Sequence, residues 1–213
     1  GGMATVYLAA AHGPSGFRKL SVVKLMRPYL SEDPQLREAF VAEARLAAKL
    51  NHPNIVHTYE VGDADGEQFI AMEYLEGQSL HAIIERLGYA GRFTLAMYVR
   101  ALCDALEGLE YAHNGKDFDG RPLQVVHRDV SPHNIFITYS GQAKLLDFGI
   151  AKAANAETHT ATGVVKGKVA YMSPEQAMGG ALDARSDLFS VGIMLWEALA
   201  QRRLYENLPN TAI

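Results

Sequence analysis

His127-Arg128-Asp129-Val130-Ser131-Pro132-His133-Asn134, followed thirteen residues later by Asp147-Phe148-Gly149, is the stretch on which the reading of this chain turns. Asp129 can accept or orient the proton of an incoming hydroxyl. Asn134 and Asp147 offer oxygen ligands of the kind that magnesium prefers. Either motif alone could be a turn. Both in this order suit phosphoryl transfer, which asks a protein for little covalent chemistry. It needs a polyphosphate held, its charge neutralised and an attacking hydroxyl aligned.

Upstream, Lys24 lies inside the apolar run Val22-Val23-Lys24-Leu25. A lone lysine in such a strand usually faces water. Glu43, nineteen residues on, has the right sign to pair with it. Asp33 is a good N-cap and Pro34 suits the first turn of the helix that carries Glu43. On that helix Leu36, Phe40, Ala47 and Leu50 share a face by 3–4 spacing, and Glu43 shares it too. A carboxylate on a buried stripe either meets a cation or snorkels out at the edge, and spacing leaves both open. The opening Gly1-Gly2-Met3-Ala4-Thr5-Val6 fits a hairpin as well as a phosphate-binding loop.

The first 75 residues or so read as sheet with one helix. Thr5–Ala10, Lys19–Met26, Ile55–Val61 and Gln68–Tyr74 are β-rich, with turns at 12–16 and 62–66. The rest reads as mainly helical. Ser79–Leu87 and Thr94–His113 are amphipathic, the second with Leu95, Val99, Leu102, Leu106 and Leu109 as its apolar face. Short strands are expected at Val125-Val126, Ile135–Thr138 and Ala143–Leu146, a loop over 153–168, and a hydrophobic helix over Asp187–Leu199. A β-rich unit, a linker near Glu73–Gly77 and a helical unit make an α+β, two-lobed chain, with the cleft between lobes a favoured ligand site.

Composition narrows the field. A net charge of −4 gives no long-range pull on nucleic acid. The single cysteine, Cys103, excludes an internal disulfide and is expected in the core. No run of about 20 apolar residues spans a membrane.

Taken together, these residues resemble the eukaryotic-type protein kinase family, whose signatures run from a Gly-rich loop to an Ala-Pro-Glu segment. Here they read Gly1–Val6, Lys24, His127–Asn134, Asp147–Gly149 and Ser173-Pro174-Glu175. The style is similar to bacterial serine/threonine kinases, the myxobacterial type above all. The resemblance implies a two-lobed kinase fold, with the small lobe over 1–75 and the large lobe over 76–213. It also implies that the opening strand and the last helices are missing from these residues.

The activity implied is ATP- and Mg2+-dependent (or Mn2+-dependent) transfer of the γ-phosphate to a serine or threonine hydroxyl of a protein. A nucleotide-binding scaffold without efficient turnover is the alternative. Gly1, Gly2, Val6, Val22, Lys24, Met72, Glu73, Leu75, Phe136 and Asp147 would hold the nucleotide, with Met72 as gatekeeper and Glu73–Leu75 as hinge. Asn134 and Asp147 would hold metal, Asp129, Lys24 and Glu43 would serve catalysis, and Asp187 would brace the catalytic loop. The partners implied are ATP and a protein substrate, with no nucleic acid and no membrane contact here. The location implied is cytoplasmic, with any membrane anchor outside these residues.

Four positions depart from the family pattern. Ala4 stands where a glycine is usual and Val22 where a small alanine usually touches adenine. Ser131 stands in place of a lysine that meets the γ-phosphate, and Lys168 in place of a threonine beside it. The last two suggest an exchange, with Lys168 reaching the γ-phosphate and Asp129 while Ser131 takes the hydroxyl role. Arg128 beside Asp129 suggests pairing with a phosphate on Thr158, Thr160 or Thr162.

Overall fold

The computed structural model describes residues 4–88, 92–117, 119–148 and 169–205. The small lobe is a four-stranded antiparallel sheet of β1 (Ala4–His12), β2 (Arg18–Met26), β3 (Thr58–Ala64) and β4 (Glu67–Glu73), in the order β1-β2-β4-β3. A short helix α1 (Pro28–Ser31) and α2 (Pro34–Ala47) follow β2. As the sequence predicts, Asp33 caps α2, its carboxylate accepting from the amides of Gln35 and Leu36.

Strand register decides which side chains look inward. Lys24 lies opposite Val6 on β1 and Ile70 on β4, while Val22 lies opposite Leu8 and Met72. Side chains alternate with period two, so Val22, Lys24, Ile70 and Met72 share one face. Against it α2 packs Phe40 and Ala44, which with Ala4, Met26 and Ile70 make the small-lobe core. The apolar stripe predicted for α2 is shifted. Ala44 is fully buried, Ala47 is only half-buried, and Leu50 is buried beyond the helix end.

The β3–β4 hairpin corrects the sequence expectation. Strand β3 starts at Thr58, three residues later than predicted, and runs through the segment expected as turn. The turn itself is Asp65-Gly66, both at positive φ (54° and 85°), the pattern of a two-residue primed hairpin turn. Gly62 is a strand residue under the Phe69 ring, where a Cβ would come within 2.7 Å of the ring. Ile55, expected in this strand, instead bridges to Leu145 of the large lobe.

A second sheet, β5 (Gly77–Ser79), β6 (Ile135–Thr138) and β7 (Ala143–Leu145), in that order, lies in the large lobe beside helices α3 (Leu80–Leu87), α4 (Leu95–His113), α5 (Pro174–Ala177) and α6 (Ala184–Ala200). Ser79, Thr94, Ser173 and Asp183 cap the four helices in turn. Leu80, Leu109, Ile135, Leu145 and Met194 are completely buried in the main core, each contributing roughly 1.5–3 kcal/mol through burial. The buried stripe of α4 is Tyr98, Ala101, Leu102, Ala105, Leu109 and Ala112, rotated from the predicted one. Leu95, the first residue of α4, is exposed, whereas Leu102 and Leu109 of the predicted face are buried. Cys103 is exposed, against expectation, since it falls on the far side of that stripe. Val125 and Val126 are buried but form no strand, against expectation.

A third cluster ties the lobes together. Leu50, Ile55, Ala112, Val125 and Phe148 are buried against one another, with Leu46 and Leu123 packed on them. Beside it Val56 N donates to Leu145 O (2.9 Å) and Leu145 N donates to Asn54 O (2.8 Å). The architecture is the two-lobed α+β arrangement expected from the sequence. No described helix is long and apolar enough to cross a membrane.

Candidate active site

Between the lobes lies a cleft of about 570 Å³, lined by Val6, Val22, Val56, Met72, Leu75, Phe136 and Leu146 among others, with Lys24 and Asp147 in its wall. Apolar strand residues supply the walls and the charged groups stand together, a distribution suited to a ligand with a flat apolar part and an anionic part. Of the nucleotide residues inferred from sequence, Val6, Val22, Lys24, Met72, Glu73, Leu75, Phe136 and Asp147 all line it. Gly1 and Gly2 lie outside the described residues, as do Lys168, Thr158, Thr160 and Thr162.

Lys24 Nζ stands 2.9 Å from Asp147 Oδ1 and 3.8 Å from Glu43 Oε1. Glu43 is therefore turned inward on the buried face of α2 rather than snorkelling out. Burial, the largest influence on Lys24, pulls its proton affinity down. Asp147, then Glu43 and, less strongly, Asp129 outweigh it, so the ammonium is held above its usual range.

The segment from His127 to Asn134 is fixed from beneath. Asp187, buried in the first turn of α6, accepts from the amides of His127 (2.8 Å) and Arg128 (2.9 Å) and from His113 Nε2 (2.8 Å). His127 has no solvent exposure and packs against the Phe148 ring at 4.5 Å. Its Nε2 meets Leu146 O at 2.9 Å, and its Nδ1 accepts from Asp129 N at 3.3 Å. Those partners fit the neutral ring protonated at Nε2. Burial pushes its proton affinity below the ordinary histidine range despite Asp187 and Asp129 nearby. Arg128 holds a left-handed φ of 64°, uncommon for a residue with a side chain. Its amide is bound to Asp187 and its carbonyl accepts from Gln176 Nε2 at 2.6 Å.

Asn134 Nδ2 donates to Asp129 Oδ2 (2.7 Å) and Asp129 O (2.8 Å). The Asn134 amide oxygen is thereby turned away from Asp129. Ser131 is buried, and its hydroxyl has no hydrogen-bond partner among the described residues. The Asp147 backbone is also left-handed (φ 46°), a conformation that costs of order 1–3 kcal/mol and tends to collect at functional sites.

Sequence reasoning missed the surroundings of Glu73. Its carboxylate takes Lys144 Nζ at 2.7 Å and the His57 amide at 2.8 Å. Lys144 sits between Ala143 and Leu145, both buried, so strand alternation was the signal that put it on the other face. His113, a third partner of Asp187, was also missed. Its place as the last residue of α4 gave no sequence cue.

A small sheet with one packed helix, a larger helical lobe and a charged cleft between them define the bilobal kinase class of fold. The model of the protein kinase domain matches residues 1–213. The chain is 47% identical to the tyrosine-protein kinase MasK of Myxococcus xanthus over its whole length, covering 33% of that protein. It is 38% identical to the serine/threonine-protein kinase PrkC of Bacillus subtilis, over 95% of this chain and 29% of that one. The crystal structure of the Mycobacterium tuberculosis PknI kinase domain superposes with a TM-score of 0.69 at 26% identity, covering 98% of this chain and 74% of that one. The chain belongs to the protein kinase family, and spans about a third or less of the length of these two curated relatives.

Proposed function

We propose that this chain carries the catalytic activity of a serine/threonine protein kinase that uses ATP with Mg2+. The observation that carries the reading is the convergence of Lys24, Glu43 and Asp147 in the cleft wall, with Asp129 close enough to act on the charge of Lys24. Serine/threonine specificity draws support from PrkC and from Ser131-Pro132 in place of an Ala-Ala-Arg catalytic loop.

In this reading Val6, Val22, Met72, Leu75 and Phe136 enclose the base and the Lys24 ammonium meets the α- and β-phosphates. Glu43 keeps Lys24 in place. Asp129 orients the substrate hydroxyl and accepts its proton, a role worth typically 10²–10⁴-fold. Asn134 fixes the carboxylate of Asp129 through its Nδ2. The Asp147 carboxylate and the Asn134 amide oxygen form a hard donor pair that fits Mg2+ or Mn2+. When bound, the ion neutralises phosphate charge. Lys168 is proposed to approach the γ-phosphate. The buried Ser131 hydroxyl, without a bond to Asp129, counts against its half of the exchange. Arg128 Nε, buried and without a hydrogen-bond partner among the described residues, supports a phosphate on Thr158, Thr160 or Thr162 as its partner.

The test is transfer of labelled γ-phosphate from ATP to a generic protein substrate, with phosphoamino-acid analysis of the product. Phosphoserine and phosphothreonine are expected, with a loss of at least about 10³-fold in Asp147→Ala. An Asp147→Ala variant as active as the parent would overturn the assignment. Tyrosine specificity is the second reading, favoured by the 47% identity to MasK. Phosphotyrosine as the sole product would establish it.

A further inference from the structure

Glu73 ends β4 at the point where the chain leaves the small lobe. Its amide donates to His57 O (2.9 Å), and its carboxylate oxygen accepts from His57 N (2.8 Å) and Lys144 Nζ (2.7 Å). Lys144 belongs to β7 in the large lobe, three residues before Asp147. One carboxylate thus joins the start of β3, the end of β4 and a strand of the opposite lobe. The two side chains are only 12% and 19% exposed, so the pair is largely shielded from water. The neighbouring crossings between lobes, Asn54 and Val56 to Leu145, are neutral backbone bonds. Glu73 and Lys144 are therefore a charged clasp beside neutral crossings at the connecting segment, separate from the Lys24–Asp147 pair inside the cleft.

Opening the cleft by rotation at the connecting segment would lengthen this contact. Separating the charges where water is scarce is costly, since each would be left poorly solvated. Leu146 and Asp147, which follow Lys144 directly, line the cleft, as does Phe136, the β6 partner of Lys144. Movement of Lys144 is thus carried straight to the nucleotide wall.

We propose that the Glu73–Lys144 ion pair sets how far the two lobes open and so governs nucleotide exchange, which makes Lys144 a positioning residue for the kinase reaction. This rests on the cleft being the nucleotide site. Removing the pair eases opening. Nucleotide then leaves faster and binds less tightly, while the groups that act on the phosphates keep their places.

The test measures release of N-methylanthraniloyl-ADP with Mg2+ by stopped flow, and KM for ATP, in the parent, Lys144→Met, Lys144→Arg, Glu73→Gln and the double variant Glu73→Gln/Lys144→Met. Lys144→Met is expected to speed release and raise KM about three- to tenfold, with kcat unchanged or raised. Lys144→Arg, which keeps the cation, is expected to match the parent. The double variant is expected to be no worse than either single change, because both break one contact. Thermal unfolding confirms that each variant is folded. Unchanged release and KM in Lys144→Met, additive single effects, or Lys144→Arg shifting as far as Lys144→Met would each overturn the clasp. Failure of the parent to bind the labelled ADP at all would instead overturn the nucleotide-site reading.

Discussion

The floor and the roof of the cleft are built on different principles. The floor, from His127 to Asn134, hangs on short hydrogen bonds to buried partners. Asp187 alone receives three of them, and Asn134 makes two to Asp129. The roof holds Lys24 by ionic contacts at 2.9 and 3.8 Å that reach across to the other lobe and to a helix. Hydrogen bonds tolerate little displacement, whereas Coulomb attraction falls off gradually with distance. The floor is thus set in one geometry; on the roof the 2.9 Å contact to Asp147 is a hydrogen bond as well, and the 3.8 Å contact to Glu43 is the one that can shift and still attract.

Damage to the floor should fall on stability and damage to the roof on catalysis. The largest expected effect is Asp187→Ala, which leaves two buried amides and His113 without their acceptor. It should cost about 3 kcal/mol or more, read from the urea midpoint. A change under 1 kcal/mol would erase the contrast between the two regions.

Next is Glu43→Gln on the roof. It should lower kcat/KM about 10- to 100-fold, from steady-state kinetics, with a smaller loss of stability than Asp187→Ala. A variant that unfolds as readily as Asp187→Ala would show the roof to be as rigid as the floor.

The third sharpens the floor alone. His127 is buried neutral with its proton affinity depressed, so the unfolded chain takes up protons that the folded chain resists. Stability from this group is present above about pH 6.5 and declines as pH falls below it. Urea unfolding from pH 7.5 to 5 should show that decline, and His127→Gln should flatten it. The smallest expected effect is Cys103→Ser, on the outer side of α4 away from both regions. It should stay within about 0.5 kcal/mol of the parent and leave kcat untouched.

Much of this was legible in the sequence because it obeys local rules. Asp33-Pro34, Thr94 and Ser79 mark helix starts by capping chemistry, and Lys24 was picked out by the opposite charge of Glu43 and the order of motifs, since a lone strand lysine usually faces water. The β3–β4 turn was misplaced because Gly62 and Asp63 look like turn residues. Only the tertiary fact of the Phe69 ring over Gly62 explains a glycine inside the strand. Cys103 was misplaced because composition marks it apolar, while the buried stripe of α4 runs through alanines that carry little hydrophobic signal. The Glu73–Lys144 pair joins residues 71 positions apart, and no spacing rule spans that distance. Ser131 and Arg128 were singled out as motif positions, but their burial depends on neighbours that sequence alone does not bring together.

The cluster of Leu50, Ile55, Ala112, Val125 and Phe148 draws on both sides of the connecting segment. A gene cut between the codons for Leu75 and Glu76 would therefore yield two polypeptides, each with half of an oily seam bare to solvent. Neither piece is then expected to fold as a self-sufficient unit, and the two should be recovered as a reconstituted pair when co-expressed, not as separate soluble products.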